Sequence, residues 1–135
     1  MKLTKLPALI FLMIVIVFSG CKDKAAKELI INEWKFTEFS GPGAEMIPDS
    51  VKKKVYATAT MTFKKDGSYE QTGGSDEGTR KGKYSLSEDG KTIYSTEDGS
   101  GTDTVMILRI SKDKMVVSPK SNGSGGNMQL TMVPK

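Results

Sequence analysis

The 135-residue sequence contains no histidine and one cysteine. Without histidine, the commonest general acid–base group and the commonest neutral metal ligand are missing. A lone thiol, Cys21, closes no internal disulfide and leaves the fold to its hydrophobic core. Long apolar runs are also lacking: the only one, Leu6 to Phe18, is 13 residues long, against about 20 for a membrane-spanning helix. What remains for catalysis is sparse. Serines crowd into turns such as SNGSGGN, where backbone geometry explains them. The adjacent carboxylates Asp76 with Glu77, Glu88 with Asp89, and Glu97 with Asp98 read as solvated turn residues rather than acid–base pairs. No catalytic residue is assigned. Glu97, Asp98 and Asp103 around the EDGSGTD turn offer oxygen ligands without calcium-loop spacing and read as an acidic hairpin, so no metal or cofactor is assigned.

The N-terminus is organised as a secretory signal: Lys2 and Lys5, the apolar run, then Ser19 and Gly20 before Cys21. Lys22, Asp23 and Lys24 follow at once. The FSGC stretch resembles the lipobox of bacterial lipoproteins, with Phe18 where that motif carries an aliphatic residue. The resemblance implies cleavage after residue 20, lipidation of Cys21, and a membrane as partner. Several acyl chains hold a protein stably where one does not. Lys22 in place of an aspartate implies an outer-membrane destination in a bacterial envelope, and the lack of an acidic run after Cys21 favours the periplasmic side. The organisation reads as signal 1–20, lipidated tether 21–32 and a single domain 33–135.

Loss of residues 1–20 removes two lysines, leaving 18 basic against 16 acidic residues, a net +2. That balance and the absence of a basic face with interleaved aromatics exclude a nucleic-acid footprint.

From Trp34 onward, short β-rich runs alternate with Gly, Asp, Asn and Ser clusters about every dozen residues. The runs predict strands at Glu33–Phe39, Val55–Lys64, Ser68–Thr72, Lys81–Ser87, Thr92–Thr96, Thr102–Ser111, Met115–Ser118 and Met128–Val133. Alternation in ATATMTF places Ala57, Ala59, Met61 and Phe63 on one face. It likewise pairs Trp34 with Phe36, Tyr84 with Leu86, Met106 with Leu108 and Ile110, and Met128 with Leu130 and Met132 as inward sets. Asp-Gly in KKDGS, SEDGK and EDGSG marks tight hairpins between antiparallel neighbours. Eight hairpin-linked strands close most economically into an all-β, antiparallel up-and-down barrel, with a sandwich as the alternative. Residues 41–54 interrupt the rhythm. Asp49 or Ser50 is placed to cap a short helix from about Val51 that covers a barrel mouth as a connector or a lid.

The strings INEWKF, MTFKKDGSYEQT, RKGKYSLSEDGKTIYST and ILRISKDKMVVS resemble the small lipocalin-like domains of bacterial envelope lipoproteins. Trp34, Phe63, Asp66, Gly67, Tyr69, Gly82, Tyr84 and Ile110 carry the likeness, and Asn32 stands where lipocalins usually have Gly. The resemblance implies a lipocalin-like barrel; with the lipobox-like FSGC and the lack of catalytic groups, the expectation is a membrane-anchored, non-enzymatic protein that takes a small apolar ligand. The residues assigned to that ligand are Trp34, Phe36, Met61, Phe63, Tyr84, Met106 and Met128. The methionines Met46, Met61, Met106, Met115, Met128 and Met132 suit an adaptable pocket or fill gaps. Competition from the aromatic side chains favours a mostly filled interior over a real cavity. The alternative reading is a scaffold that recognises an envelope protein or glycan through its loops, with an apolar patch around Met46 and Ile47.

Overall fold

The computed structural model describes residues 26–74, 78–120 and 128–135. The signal 1–20, Cys21 and the beginning of the tether lie outside them. Eight strands run antiparallel in chain order: β1 Glu33–Ser40, β2 Thr60–Phe63, β3 Ser68–Thr72, β4 Thr79–Leu86, β5 Thr92–Glu97, β6 Thr102–Ile110, β7 Met115–Pro119 and β8 Gln129–Pro134. They form a closed barrel in which β8 pairs with β1. Closure satisfies the outward-facing amides and carbonyls that an open sheet would leave at its edges. The Asp-Gly turns do what their chemistry predicts. At the β2–β3 turn Gly67 takes φ 86° and its amide bonds Lys64 O at 3.1 Å, while Asp66 accepts from the Ser68 amide at 2.8 Å. Asp89 and Glu97 anchor the next two such turns through the Lys91 amide at 3.0 Å and the Ser100 amide at 3.0 Å.

The strand expected over Val55–Lys64 is corrected. Its first part belongs to a helix, α1, Asp49–Thr58, and only Thr60–Phe63 is strand. Ala57 is therefore on an exposed helical surface, not on the inward face shared by Ala59, Met61 and Phe63. Val51 and Val55, four residues apart, make a half-buried stripe on α1. That helical spacing overrides the β preference of VYATAT. The helix starts at Asp49, two residues before the expected Val51: Pro48 occupies the N-cap position without a side-chain cap bond, and its carbonyl accepts the Val51 and Lys52 amides at 3.0 and 3.1 Å. A 3-10 turn, Pro42–Met46, links β1 to this helix.

The barrel is packed solid at the end where the chain enters. Ile30, Trp34, Met115 and Met132 are fully buried there. Residues 26–29 are helical, and the indole Nε1 of Trp34 donates to Ile30 O at 2.9 Å, so a buried polar atom is satisfied while the entering chain plugs the base. At Asn32, the carbonyl accepts the Phe63 amide at 3.0 Å and the side chain accepts the Glu33 amide at 2.8 Å.

Two bulges set which side chains point inward. In β1 the register against β8 shifts between Phe36 and Glu38, so Thr37 and Glu38 both face out and Phe39 returns to the interior side. In β6 the shift falls between Ile107 and Arg109. The inward residues of β6 are therefore Val105 and Ile107, with Ile110 inward again beyond the bulge. Met106 and Leu108, expected inside, are exposed on the outer surface. A bulge inserts one unpaired residue, and a one-residue offset turns every side chain to the opposite face.

Candidate functional site

Above the packed base the interior is hollow. An inner chamber of about 80 Å³ is walled by Phe36, Met61, Phe63, Tyr69, Ile93, Val105, Val117, Leu130 and Met132, with Ser95 beside them. It continues into an outer chamber of about 260 Å³ that shares Phe36, Met61 and Leu130 and adds Phe39, Val55, Ala59, Gln71 and Arg80. The interior expected to be mostly filled is filled only in its lower part. By size, an apolar cavity of about 150 Å³ accommodates benzene, so the inner chamber alone admits only a few carbon atoms. Both chambers together reach the range of about 300 Å³ where small-molecule sites begin.

The walls follow from local sequence. Tyr69 and Gln71 are two apart on β3 and both turn inward, opposite Gly82 and Arg80 of β4. Gly82 makes room for the phenol: a Cβ there would stand 2.8 Å from Tyr69 Cε1 and 2.2 Å from Thr96 O. The Phe63 ring lies 6.4 Å from Tyr69 and meets Tyr84 edge-on at 4.9 Å, giving the chamber an aromatic floor. Burial raises the Tyr69 pKa above its ordinary value, and Glu97, Asp103 and Asp98 raise it further while Arg80 opposes them. The phenol therefore stays neutral throughout the physiological range and keeps its proton to donate. Tyr84 is raised mainly by burial, with Asp66 adding to it, and its hydroxyl donates to Lys64 O at 2.8 Å.

The mouth is roofed by α1. Val55 and Ala59 reach into the outer chamber, and Tyr56 Oη accepts the Phe39 amide at 2.8 Å, with the two rings 5.6 Å apart. Gln71 and Arg80 bring polar groups to the same chamber, so the site grades from apolar at depth to polar at the opening.

Of the residues assigned to a ligand from sequence, Phe36, Met61 and Phe63 line the cavity. Trp34 lies beneath its floor, fully buried in the base plug. Tyr84 supports Phe63 from below. Met106 is on the outside of β6, because the inward set of that strand is the alternate one. Met128 lines neither chamber, and its carbonyl accepts the Ser118 hydroxyl at 2.9 Å. Tyr69, Ile93, Val105, Val117, Gln71 and Arg80 complete the site; of these only Tyr69 was named from sequence, for the family likeness, and none was assigned to a ligand. For Tyr69 and Gln71 the signal was present in the alternation of SYEQT. For Val105 it was masked by the unbroken apolar run VMIL.

Among the described residues no group of three or more His, Cys, Asp or Glu side chains is placed to hold a metal ion, and no helix is long and apolar enough to cross a membrane. Residues 30–117 match the model of a family described as a lipocalin-like domain. That span runs from Ile30 in the base plug into β7 and contains most of the cavity wall. No curated protein matches the chain.

Proposed function

Because the chain belongs to the lipocalin-like domain family, we propose that it is a non-enzymatic binding protein, held at a membrane by lipid on Cys21, that carries one small, largely apolar molecule in its two-chambered cavity. The carrying observation is the gradient along that cavity: aliphatic and aromatic walls at depth, then Gln71 and Arg80 in the outer chamber. Burial of an apolar tail supplies the driving force, and a polar head avoids desolvation by remaining at the opening. The ligand is thus a short amphiphile whose tail passes between Phe36, Met61 and Leu130. The absence of histidine from the sequence favours binding over turnover.

The lipobox-like FSGC sequence supports acylation of Cys21, and Lys22 supports an outer-membrane position facing the periplasm. Mass spectrometry of the full chain purified from its native membranes tests both halves of the proposal. The expected result is an acylated N-terminal Cys21 together with a co-purifying small amphiphile. Empty protein that displaces no apolar fluorescent probe would overturn the binding reading.

A second reading, recognition of an envelope protein or glycan by the mouth loops, is favoured by one observation: Met46 is 77% exposed in the 3-10 turn beside the opening. Replacement of Met46 by Ser is expected to weaken that recognition without altering ligand affinity.

A further inference from the structure

Four of the large apolar side chains exposed among the described residues gather on one flank near the closed base: Ile31 (39%), Tyr94 (42%), Met106 (46%) and Leu108 (43%). Register makes them neighbours. Thr92 lies opposite Met106 and Tyr94 opposite Thr104, which sets Tyr94 and Met106 on a diagonal about 7 Å apart. Leu108, the bulge residue, extends the strip along β6. On the other side Tyr94 lies opposite Ser85, and Ser85 with Leu86 walls a groove bordered by Lys27, Ile31 and Lys65. Exposed apolar side chains thus run along β5 and β6 at Tyr94, Met106 and Leu108, and Ile31 lies across the Ser85 groove from them.

Cations border this strip with fewer acids among them: Asp66 lies within charge–charge reach of Lys83, and Glu88 and Asp89 follow Leu86 by two and three residues. Lys27 and Lys65 edge the groove, Lys83 projects outward two residues before Ser85, and Arg109 follows Leu108. A layer of phosphates would complement them. The upstream chain narrows the choice further: Cys21 precedes Ala26 by five residues, a reach of at most about 18 Å.

We infer that this flank lies on the surface of a phospholipid bilayer, with Tyr94, Met106 and Leu108 at headgroup depth and the surrounding cations on lipid phosphates. The inference rests on the proposed acylation of Cys21. Tyr is suited to such an interface, having an apolar ring and a wet hydroxyl. Amphiphilic contact of this kind supplements the acyl chains and fixes orientation. In that pose the base faces the membrane, and the mouth with Met46 faces away from it.

Acylated Cys21 leaves no free thiol, so Met106→Cys and Met46→Cys each give the full chain a single site for a nitroxide label. Both labelled proteins are placed in vesicles of phosphatidylethanolamine and phosphatidylglycerol, and collisions with oxygen and with a soluble nickel complex are compared. The expected result is severalfold lower nickel access at position 106 than at 46, with oxygen access raised at 106, and a return of nickel access when Lys65→Glu and Arg109→Glu are added. Equal nickel access at the two positions, or protection at 106 accompanied by spin–spin coupling between copies, would overturn the inference while leaving the anchor intact. A protein mass showing unmodified Cys21 removes the anchor reading, and this orientation with it.

Discussion

The Thr58 hydroxyl accepts a hydrogen bond from the Gly74 amide at 3.1 Å and donates its own to Lys54 O at 2.8 Å. One side chain thereby closes the last turn of α1 and ties the roof of the mouth to the β3–β4 connection. The adjacent Gly73, at φ 73°, approaches so closely that a Cβ would stand 2.3 Å from Thr58 O. Gly73→Ala combines a left-handed backbone with this clash and is expected to cost about 1–3 kcal/mol. Its melting temperature should fall, and a bound apolar probe should dissociate faster because the end of α1 is pushed from the opening. An unchanged dissociation rate would show that α1 does not control access.

Met61 stands where the two chambers join. Met61→Trp fills that junction, so affinity for an apolar probe is expected to drop by roughly tenfold or more, about 1.4 kcal/mol. Overpacking should cost stability by about 1–3 kcal/mol. Leu108→Ala, on the outer surface, should leave probe affinity unaltered. Titration of a solvatochromic probe into each protein checks the pair.

Trp34 lines neither chamber, yet its replacement should be the more damaging to folding. Trp34→Phe strands Ile30 O without its indole donor and is expected to cost about 1–3 kcal/mol. Trp34→Ala also opens a cavity in the base and should cost about 3–5 kcal/mol. Chemical denaturation measures both. A loss confined to the Ala variant would show that packing, and not the Nε1 bond, secures the plug.

Acid should weaken two hairpins together. Hydrogen bonds from the Ser68 side chain and amide lower the Asp66 pKa, and those from Ser87 and the Lys91 amide lower that of Asp89. A carboxylate with a depressed folded-state pKa contributes stability that is present above its unfolded value, near 3.8, and is lost as pH falls through the folded value. Asp66→Asn should therefore flatten the dependence of the denaturation midpoint on pH below about 4. At the other extreme, the raised Tyr69 and Tyr84 values mean that stability holds below their unfolded pKa of 10.0 and declines as pH rises through the folded values. Tyr69→Phe should remove part of that alkaline decline.

The hairpin chemistry made most of the barrel legible in advance. Asp-Gly pairs located three turns, and β3 and β5 lie within a residue of where alternation put them. The failures have definite physical sources. In TVMILRI both alternating sets are apolar, so period two alone does not choose between Val105 with Ile107 and Met106 with Leu108. The bulge at Leu108 is a backbone event with no residue signature. In VYATAT, β-branched residues favoured a strand, while the helix was decided by the start at Pro48 and by the contacts of Val55 and Tyr56 with the mouth. The cavity itself followed from side-chain volumes meeting across eight strands, which no single segment encodes.

The pairing of Trp34 with Pro134, and the Lys135–Glu33 ion pair at 2.8 Å, join residues at opposite ends of the domain. Until β8 has been synthesised, β1 has only one of its two strand partners, and the Trp34 plug lacks Met132 above it. A nascent chain paused short of β8 therefore presents two sticky borders and an unsealed floor. Such a chain depends on the last few residues arriving quickly, or on a chaperone shielding those borders until they do.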